Sequence, residues 1–470
     1  MPWFLFMAGT SISLSLAKYT RDGVSQSAFS DAVHRVLMRV LKLFALGVLL
    51  QGGGWFDTYT FGYNYSTLRW CGILQRIAFG YGCAALIELY VPTVSCTAQS
   101  VLPTDREVIS LARVTDGDTR RFDWGSAKRR LQAHSELFSA HSWRWLLVLL
   151  LTGIQAIITY TVYVPSWSSS YGWDPDLGKA TMLATPFEVK CDVRGHVSTP
   201  ECTAASLIDR AVFGQDRLGV WMSARLPQCS PCSPGNPSKT FRPDCYADAN
   251  ATAVGAPNWC FAHMYDPEGL LATFGAAFSV WLGVHVGRVL HATSIPKPHE
   301  LLAHWAIFNG AAIGLGLGMH FGGIPMNKQL WSPSYALFMA GSCGLSLAAA
   351  YVAVDVEYTS PTIARVAMRF RRLLFPLEAA GMNAILIFFW HGTAECIINA
   401  LYVDPPLPGD QESWPKAQGA LLGSDGWIRA YALSWIGTKE DAQMAMVLLK
   451  IAGFLGAACL CHKRGYFWKI

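Results

Sequence analysis

EGLLATFGAAFSVWLGVHVGRVLH, residues 268–291, opens on a glutamate and then runs through apolar and small side chains, with only Arg288 and two histidines breaking it. At 1.5 Å per residue, about 20 such residues cross the ~30 Å hydrocarbon core of a bilayer. A buried helix of a large soluble protein would look the same, so recurrence decides between the two readings. Stretches of this kind recur at Met1–Ala17, Val36–Gly54, Trp70–Val91, Trp145–Val164, His304–Phe321, Ser332–Val354, Glu378–Leu401 and Asp441–Leu460. No soluble core houses so many. The 470 residues are 52% hydrophobic and 15% charged, against about 25% charged in ordinary globular proteins. The expected fold is all-α, a polytopic transmembrane helical bundle with one large cysteine-rich luminal loop. The spacing of Gly310, Gly314 and Gly318 is the kind that lets helix backbones meet closely in lipid.

The net charge of +5 is too small to suggest a nucleic-acid partner, but its distribution orients the chain. Lys18, Arg21, Arg35 and Arg39 lie between the first two spans, and Pro92–Arg144 carries seven more cations from Arg106 to Arg130. Arg365, Arg369, Arg371 and Arg372 precede the eighth span, and Lys463, Arg464 and Lys469 follow the ninth. The Lys/Arg bias places these segments in the cytoplasm, with the N-terminus luminal, the C-terminus cytoplasmic and membrane lipid as the surrounding partner. Pro165–Pro267 is then luminal, as is the region 402–440, whose WIRAYALSWIG reads as interfacial or re-entrant. The acceptor patterns at Asn64 and Asn250 fall on the luminal side. So do Cys191, Cys202, Cys229, Cys232, Cys245 and Cys260, an even set that suggests disulfides of open pairing. A zinc site drawn from the last four is the rival reading; no metal is expected.

Ionisable groups inside spans are costly and face a cavity, an interface or each other. Arg76 cannot shed its charge, so it needs a carboxylate, carbonyls or an anionic ligand. Glu88, at the other end of the same span, reads as an interfacial structural residue. Asp266 and Glu268 favour the start of a helix and sit at the luminal mouth, where they could also bind the hydroxyls or amine of a sugar. Asn309, Asn327, Lys328, Glu378 and Asn383 are further candidates for lining the same cavity. His391 and Glu395 share one helix face at i, i+4, as a proton-transfer pair or as a packing lock.

Several segments, in order, resemble the heparan-alpha-glucosaminide N-acetyltransferase family, particularly its plant and protist relatives. They are PWFLFMAGTSISLSL at 2–16, RWCGILQRIAFGY at 69–81, CDVRG at 191–195 and IDR at 208–210. They continue with WCFAHMYDPEGLLATFGAAFSVWLGVHVG at 259–287, PMNKQLWSPSYALF at 325–338, PLEAAGMNAILIFFWHG at 376–392 and the terminal YFWKI. The resemblance implies one transmembrane acyltransferase-like domain over 1–470, in a lysosomal, vacuolar or related endomembrane. It implies transfer of an acetyl group from cytosolic acetyl-CoA to a luminal amino sugar or glycan, and it admits a homodimer.

The chain departs from the family at its start. MPWFLFMAGTSISLSLA has no positive region of the signal-peptide kind and opens with a helix already under way. The family's preceding span and its His-x-x-Trp-Asn-Gly loop, which holds the catalytic histidine, have no counterpart here. The expectation is that upstream sequence is missing, and no catalytic residue is carried over; His391 and Glu395 stay as candidates only. A solute or acyl-group transporter and an inactive truncated paralogue are the alternative readings.

Overall fold

The computed structural model describes residues 1–19, 24–51, 68–93, 113–114, 135, 138–174, 179–198, 200–218, 266–290, 298–358, 361–390 and 439–468. Its helices are α1 (Pro2–Leu16), α2 (Gln26–Gln51), α3 (Ile73–Tyr90), α4 (Ser142–Thr161), α5 (Ala204–Phe213) and α6 (Leu270–Val289). They continue with α7 (Pro298–Phe321), α8 (Pro333–Val354), α9 (Pro361–Met382), α10 (Ala384–Trp390) and α11 (Lys439–Lys463). Local chemistry sets several ends. Ser332 caps α8 by accepting from the Tyr335 N–H, with Pro333 at the first helical position. Thr203 caps α5 in the same way through Ser206, and Gly214 ends it at φ +78°.

Within the described residues every expected span falls on a helix, but the eighth is drawn differently. The helix begins at Pro361, well before Glu378, and bends by 69° into α10. Four helices among the described residues are long and apolar enough to cross a membrane unaided: α4, α6, Glu300–Phe321 of α7, and α8. The α9–α10 pair passes the same test only as a broken span. The chain is an integral membrane protein with a multispan helical architecture. It is not purely α, which corrects the expectation. Strand β1 (Arg113–Val114) pairs in parallel with β6 (Glu357–Tyr358), and β2 (Tyr163–Val164) antiparallel with β5 (Val193–Arg194). The main addition is a hairpin of β3 (Trp167–Asp174) and β4 (Lys179–Val189), with Trp167 opposite Val189. Its aromatic, Ser and Thr residues suit a pleated, half-buried surface, a short signal beside the hydropathy of the spans. A disulfide joins Cys191 to Cys202. Cys229, Cys232, Cys245 and Cys260 lie outside the described residues, as do Asn64 and Asn250.

The core gathers around α6, which is buried along almost its whole length. It runs parallel to α1 with the two backbones nearly touching. A Cβ on Gly9 would fall 1.9 Å from the Val280 carbonyl oxygen, and one on Gly283 would fall 2.0 Å from that of Phe6. The expected glycines play no such part: Gly310, Gly314 and Gly318 meet nothing within 4 Å among the described residues. They share the outward face of α7, while Gly316, which faces Ser334 and Phe338, carries the approach to α8. The largest buried side chains are Trp281, Trp305 and Trp331. The Trp305 indole donates to the Val286 carbonyl at 3.1 Å and that of Trp331 to Ser279 Oγ at 2.9 Å, so burying these N–H groups leaves them partnered.

Candidate functional site

At the hairpin end of the bundle, the segment before α3, helix α5 and the turn before α6 bring five charged residues together. Arg69 donates from Nε to Asp266 Oδ2 at 2.5 Å and from Nη2 to Asp266 Oδ1 at 2.7 Å. The same Nη2 reaches Glu268 Oε2 at 2.6 Å. The planar fork of arginine suits this two-point grip on a carboxylate. Asp209, on α5, accepts from the backbone N–H of Asp266 and of Leu270, each at 3.2 Å. A carboxylate from another helix thus covers two donors where α6 begins. Glycine at 269 makes room for this carboxylate: a Cβ there would lie 2.1 Å from Asp209 Oδ2 and push it off the two N–H groups. Arg76 completes the group, donating to the Pro267 carbonyl with its guanidinium 4.8 Å from the Trp331 ring centre.

Asp209, Asp266 and Arg76 are buried, whereas the Arg69 and Glu268 side chains keep 13% of their surface open. Burial, reinforced by the charge of Asp266, pushes the Asp209 carboxyl up to about 7. Burial also holds Glu268 above the ordinary carboxylate range, against the pull of Arg76 and Arg69. For Arg69, burial opposes the charge, but Asp266 and Glu268 outweigh it and fix the guanidinium in its charged form. The arrangement is a paired acid–arginine cluster with Glu268 at its accessible rim. It can hold a hydroxyl or an amine by hydrogen bonds, and two of its carboxyls take protons more readily than usual.

The opposite end carries a second buried group. Glu88 accepts from Arg144 at 3.0 Å and from Arg288, while Arg144 Nε donates to the Val91 carbonyl at 2.7 Å. Glu88 is structural, as expected, and is buried: it ties α3, α4 and α6 together beneath the protein surface. Next to it the His285 ring stacks on Phe138, with centroids 4.5 Å apart, and lies 5.7 Å from His304.

Of the residues singled out from sequence, Arg76, Asp266 and Glu268 meet in the first cluster. Asn327 stands nearby in a turn: its Oδ1 accepts from the Gln329 and Leu330 N–H groups and its Nδ2 donates to the Val197 carbonyl. That turn presents Trp331, at φ +50°, to Arg76. Lys328 is exposed. Asn309 lies elsewhere, buried between α7 and α8 against Gly344. Asn383 sits at the α9–α10 bend, accepting from the Trp468 N–H at 3.3 Å, and Glu378 is exposed on α9. His391 and Glu395 lie outside the described residues. Sequence reasoning passed over Arg69 and Asp209. Both lie in quoted segments, RWCGILQRIAFGY and IDR, but neither stands inside an apolar run, where a charge draws notice.

An apolar helical bundle with charged side chains paired in its buried ends defines a multispan integral membrane protein built around polar sites. Among known proteins, the chain is a distant homologue of heparan-alpha-glucosaminide N-acetyltransferase, a relation at the level of the family. It is 25% identical over 411 residues to the protein of that name from Mus musculus, covering 84% of this chain and 47% of the relative. The Homo sapiens protein is 24% identical over 408 residues, with 84% and 46% covered. The chain spans about half the length of the curated relatives it matches. No family model matches it.

Proposed function

We propose that the chain is the membrane core of an acetyltransferase that moves an acetyl group from cytosolic acetyl-CoA to the amine of a luminal amino sugar. The observation that carries this reading is the cluster of Arg69, Arg76, Asp209, Asp266 and Glu268 at the hairpin end, in a distant homologue of an amino-sugar acetyltransferase. In the reaction the amine nitrogen attacks the thioester carbonyl, the C–S bond breaks, coenzyme A leaves as thiolate, and the proton that the amine gives up ends on that thiolate. Glu268, at the accessible rim, binds the acceptor: a carboxylate pairs with an amine and accepts from sugar hydroxyls, while buried Asp266, gripped by Arg69, fixes the group in place. Sidedness follows the disulfide and the basic segments. Cys191–Cys202 lies at the hairpin end, which suits an oxidising lumen, while Lys18 and Arg35, where α1 ends and α2 begins, adjoin the other end, where an anionic coenzyme would arrive.

The test supplies radiolabelled acetyl-CoA to one face of membranes containing the chain joined to the family's preceding span and loop, and glucosamine to the other; the chain by itself is expected to give no more than trace transfer. Asp266→Asn and Glu268→Gln are expected to lower transfer by about 10²-fold or more, and the outward-facing Leu315→Ala is expected to leave it unchanged. Transfer at full rate by both acid variants would remove the assignment of this cluster. Absence of transfer to any amino sugar by the protein supplied with the family's preceding span and loop would remove the reaction.

A further inference from the structure

Helix α9 has three distinct faces. Arg371, Phe375 and Ala379 turn toward the protein: Arg371 Nη2 donates to the Val356 carbonyl at 2.8 Å, Phe375 meets the His462 ring edge-on at 5.0 Å, and Ala379 is fully buried. Ile363, Val366, Phe370, Leu373 and Leu377 form a second stripe, spaced three and four residues apart and therefore on one side. All five are exposed, Leu373 to 73%. Arg365, Arg369 and Arg372 form the third, between the other two, and all three are exposed. Lys463 and Arg464, exposed at the end of α11, add two cations beside His462, which touches Phe375.

An apolar stripe of this size needs a cover, and the arginines say which. Four arginines over about two turns cannot lie in hydrocarbon without a large penalty, so α9 does not cross the membrane. The 69° bend into α10, held at Asn383 by the chain end at Trp468, turns it strongly away from the direction of the segment that follows. A helix with an exposed apolar stripe and a row of arginines along one edge of it has the form of an in-plane interfacial helix. We propose that α9 lies in the membrane surface with Ile363, Val366, Phe370, Leu373 and Leu377 among the acyl chains. Arg365, Arg369 and Arg372, helped by Lys463 and Arg464, bind the headgroups of anionic lipid. The chain thus carries a lipid-recognition site separate from the acid–arginine cluster.

The experiment uses the full chain with a photo-crosslinking amino acid at Leu373 or at Val366. The protein is reconstituted in vesicles of phosphatidylcholine alone or with phosphatidylserine at about a third of the lipid. Crosslinks to lipid are expected at both positions, with the ratio of phosphatidylserine to phosphatidylcholine adducts above their ratio in the bilayer. Arg365→Gln/Arg369→Gln/Arg372→Gln is expected to lower that adduct ratio by about tenfold or more, since each surface cation contributes about a fivefold preference for anionic lipid. Thermal unfolding in phosphatidylcholine alone is expected to be unchanged by the triple substitution, which separates lost recognition from lost folding. Crosslinks that join two copies of the chain would overturn the proposal, making the stripe a dimer seam. Lipid adducts without anionic enrichment, or enrichment indifferent to the three arginines, would overturn it as well.

Discussion

Asp209 accepts two backbone N–H bonds while buried beside Asp266, and that contest makes it the residue to titrate. Its carboxyl is pushed up to about 7, against about 3.9 in an unfolded chain. A group whose folded pKa is raised stabilises the fold fully below its unfolded value. That contribution is lost as pH rises through the folded one. Thermal stability in detergent is therefore expected to fall between about pH 4 and pH 7 and then to level off, by an amount of order 4 kcal/mol for three units at 1.36 kcal/mol each. Asp209→Asn keeps one acceptor and cannot ionise, so its stability is expected to vary far less over that range; an equal slope in the variant would assign the effect to another group. Asp266, Glu268, Arg69, Arg76 and Arg210 surround the same carboxyl, and Glu268, also raised, adds a slope of the same sign. Arg76, Asp266 and Glu268 were legible in the sequence because charges stand out in or beside apolar runs. Asp209 was not, because it lies on a short helix far along the chain from Asp266 and only folding brings them together.

Helices were the most legible elements, since length and apolar content alone bound a span. Their contacts were not. Glycines at four-residue spacing on α7 read as a packing face, yet Gly310, Gly314 and Gly318 look outward, while Gly9 and Gly283 carry the closest approach. Spacing identifies a smooth face but not the neighbour it meets. Gly283→Leu is expected to force α1 off α6 and lower stability by about 1–3 kcal/mol or more, because the obstruction is the Phe6 backbone and cannot rotate away. Gly153→Ala, with open space around its Cβ, is expected to change stability little or raise it slightly. Thermal unfolding of the two variants side by side checks the pair; equal melting temperatures would show that the α1–α6 contact yields freely. Helix α9 was missed for a related reason: its arginines read as a loop, although the apolar residues between them recur at helical spacing.

Across the whole molecule, the two ends of the bundle differ in chemistry. The hairpin end holds the Cys191–Cys202 bridge and the acid–arginine cluster; the other holds the Glu88–Arg144–Arg288 tie and adjoins α9. If the hairpin end is luminal, sealed vesicles with the cytoplasmic face outward should leave Cys191 and Cys202 unlabelled by a maleimide, even with a reductant that cannot cross the membrane. Labelling is expected once detergent opens the vesicles and the bridge is reduced, and labelling before that step would reverse the orientation. Hydropathy by itself determined that the chain lives in a bilayer and where its helices run, because a span needs only enough apolar residues in succession to cover its backbone. The sequence also set the pattern of charge along the chain. Tertiary structure alone decided which charges are partners: Arg69 finds Asp266, and Glu88 finds Arg288, across about two hundred residues. A buried ion pair is a property of two distant segments meeting, and no window along one of them contains it.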